Sequence, residues 1–460
     1  MPSSVDLHLL ANGLLYGNAT ERIEHYFDES FGVGYGYNLP ESLRNGSLRN
    51  FLDALTSVCV STAGQREKVA VTLTENDDSV TLHIAHTEHA SGETLVAFVH
   101  GIWTILQHIS GAHRRDKTPS ILNGEIVLPT HEKYSKSSLP LIATVYRRCW
   151  PKIISHIEKK WPTFRRICSS QPTTEALVDL ARASDHLAGV KLLLSRDDLQ
   201  SDDRVATEVF HLMYQLQMLC SYSGRNALHH TSFKDRDHYH PLQNYVWKSS
   251  LHFLHILNIW LYAKSPLADT RRLFTKELRV VYLVSPNHPI EYPSDIAQWH
   301  ERLAEIYAKQ EVWIYEGRRE RAARAAMEKV ACGPTRVHPE CLLLVHHHNR
   351  LLYGIAHGVR NPLENYIGCS KQRPCYMCAR FFRAYRHATS PSAPEFKTRD
   401  SRYKPDGLWA MPEINDTKLE SRILDHMYGS LCRDLLRCLT DYGSPFYHII
   451  GRVKKSQTRE

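Results

Sequence analysis

Leu48, Phe51, Leu52, Leu55, Val58 and Cys59 recur at the three- and four-residue spacing of one helical face, which predicts an amphipathic helix over 48–60. The period then changes. Val69, Val71 and Leu73 alternate with polar or small neighbours, Glu75-Asn76-Asp77-Asp78-Ser79 has turn composition, and Val80, Leu82 and Ile84 alternate again. This predicts a β-hairpin over 68–86 with one apolar face. Helical spacing returns from about Gly92 in Leu95, Val96, Val99, Ile102, Trp103 and Leu106. It recurs in Leu177, Leu180, Leu187, Val190, Leu193 and Leu194, and again from Tyr245 to Tyr262. Up to about Lys329 the chain reads as mostly helix with polar loops, broken by one short strand at 279–284 that Ser285-Pro286-Asn287 ends. Ser294-Asp295 opens a helical stretch that runs past Ala326.

After Gly333-Pro334 the texture alternates. His338-Pro339-Glu340 opens an apolar helix over 342–352, and 365–370 reads as a strand. Pro374 opens a helix to about His387, 396–399 and 408–411 read as short strands, and 419–439 as a closing helix. Helix and strand in succession indicate an α/β class. The residues just upstream of His338 read as helix.

Composition narrows the picture. A 460-residue chain that is 42% hydrophobic and 23% charged can bury a large core in two or three domain-sized units, which excludes extended disorder. No run approaches 18 uninterrupted apolar residues, and the richest, 251–263, is broken by His252, His255 and Asn258, so no membrane span is expected. The start, Met1-Pro2-Ser3-Ser4-Val5-Asp6, lacks the basic and apolar regions of a secretory signal. Eleven scattered cysteines, an odd number, argue for reduced thiols, hence a cytoplasmic or nuclear protein, and for some of them as metal ligands. A net charge of +8 permits a nucleotide or nucleic-acid partner without requiring one. Lys159, Lys160, Arg165 and Arg166, and separately Arg318, Arg319, Arg321, Arg324 and Lys329, read as solvated helix faces.

One constellation carries chemistry. Cys375-Tyr376-Met377-Cys378 is the only CxxC of the chain, and Pro374 precedes it. Upstream lies His338-Pro339-Glu340, so the order is H-x-E then P-C-x-x-C, the signature of zinc deaminases. One His and two Cys supply three ligands to Zn²⁺ and leave a fourth position for water, whose pKa the ion lowers toward neutrality. A nearby carboxylate off the metal, Glu340, can shuttle the proton. Both ligand groups fall at expected helix starts, where Pro339 and Pro374 are tolerated and the helix end favours thiolates. H-x-E alone is weak: His86/Glu88, His156/Glu158 and His338/Glu340 all match, and the rarer P-C-x-x-C selects the third. Two rivals stay open. Cys369 could close a structural Cys₃His site with His338, Cys375 and Cys378, or the CxxC could be redox-active or merely buried. His346-His347-His348 cannot serve one ion from a helix and reads as helix surface. His229, His230, His238 and His240 with Asp235 and Asp237 read as a polar loop.

At these residues the chain resembles the cytidine-deaminase-like superfamily, and within it a fungal branch of the nucleic-acid deaminase families. The resemblance rests on Tyr366-Ile367-Gly368-Cys369-Ser370-Lys371, Cys375/Cys378, Arg336-Val337-His338-Pro339-Glu340 and Trp409-Ala410-Met411-Pro412. It departs in having Pro339 between His and Glu, and in lacking the His-Gly-Lys of relatives in the turn 401–406. The resemblance implies a three-layer α/β/α core with a mixed sheet. It implies Zn²⁺ on His338, Cys375 and Cys378, Glu340 as proton carrier, and a base pocket lined by the loop of Ser370 and Arg373. The implied activity is hydrolytic deamination of cytosine or adenine in a nucleobase, nucleotide or nucleic acid. The alternative is an inactive deaminase fold whose structural zinc serves an interaction module. Such a core opens with helix, strand, strand, which here stand at 48–86. The expected organisation is therefore an N-terminal segment (1–47), a first part of the core (48–90) and a large mainly helical insertion (91–332). The second part of the core with the zinc motif (333–415) and a C-terminal helix with a basic tail (416–460) follow, and helix and hairpin share one sheet with 335–412.

Overall fold

The computed structural model describes residues 47–62, 67–87, 92–115, 138–169, 175–195, 202–221, 232–235, 238–265, 272–288, 335–354, 362–370, 374–391, 393–399 and 409–440, with Leu7, Leu10 and scattered positions between 295 and 308. The chain forms two compact units: Gly36–Leu283 with Pro362–Gln372, and Met1–Tyr35 with Val284–Asn361 and Arg373–Glu460. The described residues are a mostly helical α/β arrangement with small sheets.

The first unit begins with α1 (Leu48–Cys59), then the hairpin β1 (Val69–Glu75) and β2 (Ser79–His86). The helices α2 (Gly92–Arg115), α3 (Leu139–Ser169), α4 (Glu175–Leu194) and α5 (Asp203–Ser221) follow. A second hairpin, β3 (Ser232–Asp235) and β4 (His238–Pro241), leads to α6 (Leu242–Ser249), α7 (Leu251–Lys264) and β5 (Glu277–Val284). The other unit holds β6 (Asn287–His288), β7 (Thr335–Val337) and α8 (Pro339–Gly354). The chain then re-enters the first unit with a 3₁₀ turn (Leu363–Asn365) and β8 (Gly368–Cys369). It ends in the other unit with α9 (Tyr376–Ala388), β9 (Trp409–Ala410) and α10 (Thr417–Thr440).

In the first unit the sheet order is β5-β2-β1-β8. β1 and β2 pair antiparallel from Val69↔His86 to Glu75↔Val80, and β1 pairs antiparallel with β8 through Ala70↔Cys369 and Val71↔Gly368. Nearly every hairpin position is buried, so the expected single apolar face is a finding to correct. The polar positions are satisfied inside: Thr74 Oγ1 meets His83 Nε2 at 3.1 Å across the strands. At the end of β2, His86 bridges Glu67 (3.4 Å) and the Tyr282 hydroxyl of β5 (3.0 Å).

Ser47 caps α1 by accepting the Asn50 N–H, and ten of its twelve residues are buried, far beyond one face. Phe51 stacks on Tyr262 of α7 at 4.6 Å between ring centres. On the other side Asp53 accepts the Tyr366 hydroxyl (2.7 Å) and the Cys369 N–H (3.1 Å). There α1 and β8 approach so closely that a Cβ on Gly368 would lie 2.8 Å from the Leu52 carbonyl carbon, which explains the glycine. The apolar core of this unit runs through α1, the hairpin and α2 to α7.

Among the described residues one helix segment, Gly92–Ala112, is long and apolar enough to cross a membrane by length and composition. Its stripe Leu95, Val99, Ile102, Trp103, Leu106 and Ile109 is buried in the core, and its outer face carries Glu93, His100, Thr104 and His108. That amphipathy is the pattern of a packed core helix.

In the other unit the order is β6-β7-β9, with β6–β7 antiparallel and β7–β9 parallel (Arg336↔Trp409, Val337↔Ala410). The residues just before His338 are thus a strand, not the expected helix. The hairpin 68–86 and the strands β7 and β9 also stand in different sheets, where one shared sheet was expected. The strand expected over 365–370 shrinks to β8 behind a 3₁₀ turn, and 396–399 holds only an isolated bridge at Lys397. Residues 235, 238 and 240 belong to a hairpin instead of a polar loop. His229, His230, Asp237, the basic stretch 318–329, the turn 401–406 and the tail lie outside the described residues.

Candidate metal centre

Two helix starts build the site. His338 directly precedes α8, and its carbonyl accepts the Cys341 and Leu342 N–H groups (3.0 Å each). Pro339 then takes the first helical position, where a missing N–H costs nothing and φ is already helical. Cys375 is the N-cap of α9, and its Sγ accepts the Cys378 N–H at 3.5 Å. Each donor group therefore lies at the positive end of a helix, where developing negative charge on sulfur is favoured.

Folding brings His338, Cys375 and Cys378 together in a group whose ligand atoms all lie within 4.8 Å of one another, all three buried. His338 Nδ1 is 3.1 Å from Cys378 Sγ and 3.3 Å from Cys375 Sγ, and the two sulfurs are 3.3 Å apart. Zn–S bonds of about 2.3 Å and Zn–N bonds of about 2.0–2.1 Å at tetrahedral angles span edges of about 3.6–3.8 Å. The triangle is a few tenths of an ångström tighter and presents one nitrogen and two sulfurs to a common point, so the residues fit one tetrahedral ion. Burial pushes both thiols well above the ordinary thiol range; Cys378 raises Cys375 further, while Cys341 and the Glu340 charge raise Cys378. A cation reverses that balance, since a coordinating thiol is deprotonated outright.

Glu340 sits in the first turn of α8, buried, with Oε1 3.9 Å from His338 Nδ1. A side chain two residues from His338 reaches the same place because His338 is at the helix entrance, not inside it. The carboxylate is beside the donors and outside the group of three, the placement a proton carrier needs.

Around this centre α9 is held against α10. The Tyr376 hydroxyl donates to the Asp434 carboxylate, the Arg380 guanidinium pairs with the same carboxylate, and Arg380 also lies over the Tyr376 ring at 4.9 Å. Of the three consecutive histidines, His347 stacks on Phe396 (6.1 Å) and His348 Nδ1 meets the Tyr385 hydroxyl (3.0 Å). They point apart as expected, but two of the three are buried instead of forming helix surface.

Cys369, the reserve fourth ligand, is not in the described group; its thiol donates to the Ile367 carbonyl and its N–H to Asp53. Ser370 fastens strands: its hydroxyl accepts the Val69 N–H and its N–H donates to the Val69 carbonyl. Arg373 lies outside the described residues. Sequence reading passed over Cys341, fully buried in the first turn of α8. It also missed Asp434, 58 residues beyond Tyr376.

A His/Cys/Cys group with an adjacent buried carboxylate could hold a metal ion. A family model described as "OTT_1508_deam:-like deaminase" matches residues 337–413, which contain all four residues, so this part of the chain is similar to a deaminase domain. Comparison with curated proteins gives no match, and comparison with solved structures gives none.

Proposed function

We propose that the protein is a zinc-dependent hydrolytic deaminase of the cytidine-deaminase-like superfamily, in its fungal nucleic-acid deaminase branch. The substrate class is a cytosine or adenine base in a nucleotide or nucleic acid, and the setting cytoplasmic or nuclear. The carrying observation is the convergence of His338, Cys375 and Cys378 beside Glu340 within the deaminase-like stretch.

His338, Cys375 and Cys378 would hold the ion. What Zn²⁺ supplies when bound is Lewis acidity that makes water a usable nucleophile near neutral pH. The Glu340 carboxylate would take one proton from the attacking water and pass it to the ring nitrogen, then carry the second, from the hydroxyl now on the ring carbon, to the departing amino group. The balance is base plus water to keto base plus ammonia. His338 and Cys375, fixed at two helix entrances, keep the donors in register without further adjustment. Residues 48–90 would form the first part of the three-layer core and 333–415 the second, whose strand β8 pairs with β1.

The second reading, an inactive fold with a structural zinc serving as an interaction module, draws on the burial of all three donors. One experiment separates the two. Ammonia release is measured from a panel of nucleosides, nucleotides, RNA and single-stranded DNA with zinc-loaded wild type and Glu340→Ala. Release by wild type alone supports the enzyme. No release from any substrate supports the module, and equal release by both removes Glu340 from its role.

A further inference from the structure

The helix that carries the cysteine pair shows mainly cations to solvent. α9 has no acidic residue, and its exposed positions are Arg383, Arg386 and His387. Arg386 is paired with Glu395 at 2.8 Å. Going from Arg380 to His387 along α9 moves the partner on α10 from Asp434 back to His426, so the two helices run antiparallel. The His387 and His426 rings stack at 5.4 Å between centres and 23° between planes. On α10, Arg422, His426, Gly429 and Arg433 follow at three- and four-residue steps and form one stripe. Arg422, His426 and Arg433 are exposed. A Cβ on Gly429 would lie 3.6 Å from Arg433 Nη1, so that guanidinium leans back along the stripe toward His426. Arg383 stands one turn before His387 and therefore level with the turn after His426, where Gly429 contributes no side chain. Three guanidinium groups and two imidazoles thus line one strip of the α9–α10 pair. Among the described residues no carboxylate pairs with Arg383, Arg422 or Arg433. Asp425, exposed beside His426, is the acid on the flank, and the Asp434 carboxylate beneath is already held by Arg380 and Tyr376.

We infer that this strip is a docking surface for the phosphate backbone of a single-stranded nucleic acid whose base enters the metal centre. The inference rests on the deaminase reading for the base and on the strip for the strand. Planar guanidinium groups hold two phosphate oxygens at once, and imidazole N–H groups donate to the same oxygens. Such contacts fix the register of a strand without reading its sequence, which leaves the choice of base to the pocket. Arg383 and His387 lie five and nine residues past Cys378 on the same helix, about 7.5 and about 13.5 Å along its axis. That is about two to four nucleotide steps of about 3.4 Å, so a strand anchored by its base at the metal centre reaches the strip within a few nucleotides.

The test reads binding, so it does not depend on turnover. The zinc-loaded full chain is titrated into fluorescein-labelled single-stranded RNA and single-stranded DNA of about 15 nucleotides, with affinity read by anisotropy across a salt series. Each phosphate contact contributes about 0.7 to the slope of log affinity against log salt. Arg383→Gln/Arg422→Gln/Arg433→Gln is therefore expected to flatten that slope by about 2. Between about 50 and about 200 mM salt it should lose about 20-fold less affinity than wild type. The arm that shows this names the strand. All three side chains are exposed, so the melting temperature should not move. A control chain, Lys159→Gln/Arg165→Gln/Arg166→Gln, removes the same charge from exposed positions of α3 and should keep the wild-type slope. Equal flattening in the control would assign the binding to net charge and overturn the inference. So would a wild-type chain that binds neither strand, an unchanged slope in the α9–α10 variant, or a preference for phosphatidylserine vesicles over both strands. In each of those cases ammonia release from nucleosides would leave the deaminase reading intact. Strand binding through the strip by a chain that releases no ammonia from any base would remove the deaminase reading and leave the surface standing.

Discussion

His338 and His252 are both buried histidines at helix entrances, and they do opposite things. His338 has two thiol sulfurs at 3.1 and 3.3 Å and a carboxylate oxygen at 3.9 Å. His252, at the start of α7, has no hydrogen-bond partner for either ring nitrogen among the described residues. Its neighbours are the His255 ring at 5.8 Å, His156 and the Lys152 ammonium. Loss of water, and then those cationic neighbours, hold His252 well below the ordinary histidine range, so it stays neutral. Burial and residue type are shared; the company differs. Soft and anionic donors make a histidine a ligand, while cationic neighbours make it a space-filling ring with an unmet polar cost.

The comparison breaks first, and with the largest effect, at the thiols. Cys375→Ala or Cys378→Ala should abolish stoichiometric zinc binding, a loss beyond the about 100-fold that an outer partner costs. His252→Ala should leave zinc untouched, as read by chelator competition. Loss of zinc in the His252 variant would mean the two sites are not the contrast drawn above. Glu340→Gln comes next: deamination should slow by about 10²- to 10⁴-fold with zinc content unchanged. Rate and metal falling together would place Glu340 on the ion.

Asp434→Ala leaves the Arg380 charge buried without its carboxylate, a loss of about 3–5 kcal/mol in chemical denaturation. A cost below about 1 kcal/mol, the range of a surface pair, would show that Arg380 finds water. A smaller effect concerns pH. His156, desolvated and facing Lys248, Lys159, Lys152 and Lys160, titrates at about 4 in the folded chain. The unfolded chain binds that proton first, so the contribution is complete above pH of about 6.5 and drains away as pH falls toward 4, by at most about 3 kcal/mol. Melts across this range should flatten in His156→Leu; an unchanged slope would assign the acid sensitivity elsewhere. Smallest, His252→Leu should be neutral or stabilise by about 1 kcal/mol, because it removes a polar group that has no partner. A clear loss of stability would reveal a partner for that ring.

How much of this was legible follows from range along the chain. His338, Cys375 and Cys378 were readable because their chemistry is written at spacings of two and three residues next to prolines, and local spacing survives without knowledge of the fold. Helix α1 and the hairpin β1–β2 were readable from periodicity. The burial of both hairpin faces was not, since Thr72, Thr74 and His83 look solvent-directed until Thr74 and His83 are seen to satisfy each other. Strand β7 has three residues, too few for any period to register. Cys341 was hidden by the two motifs beside it, although 338 to 341 repeats the step from 375 to 378. Asp434 carries no motif, and only the packing of α9 on α10 discloses it.

That last contact sets a boundary for anyone trimming the gene. The deaminase-like match stops at 413, and a fragment cut there keeps every donor atom of the metal centre. It also discards α10, leaving the Tyr376 hydroxyl and the Arg380 charge of the cysteine-bearing helix facing a missing carboxylate. The shortest useful expression piece is therefore defined by a salt bridge, not by the motif, and has to run past 434.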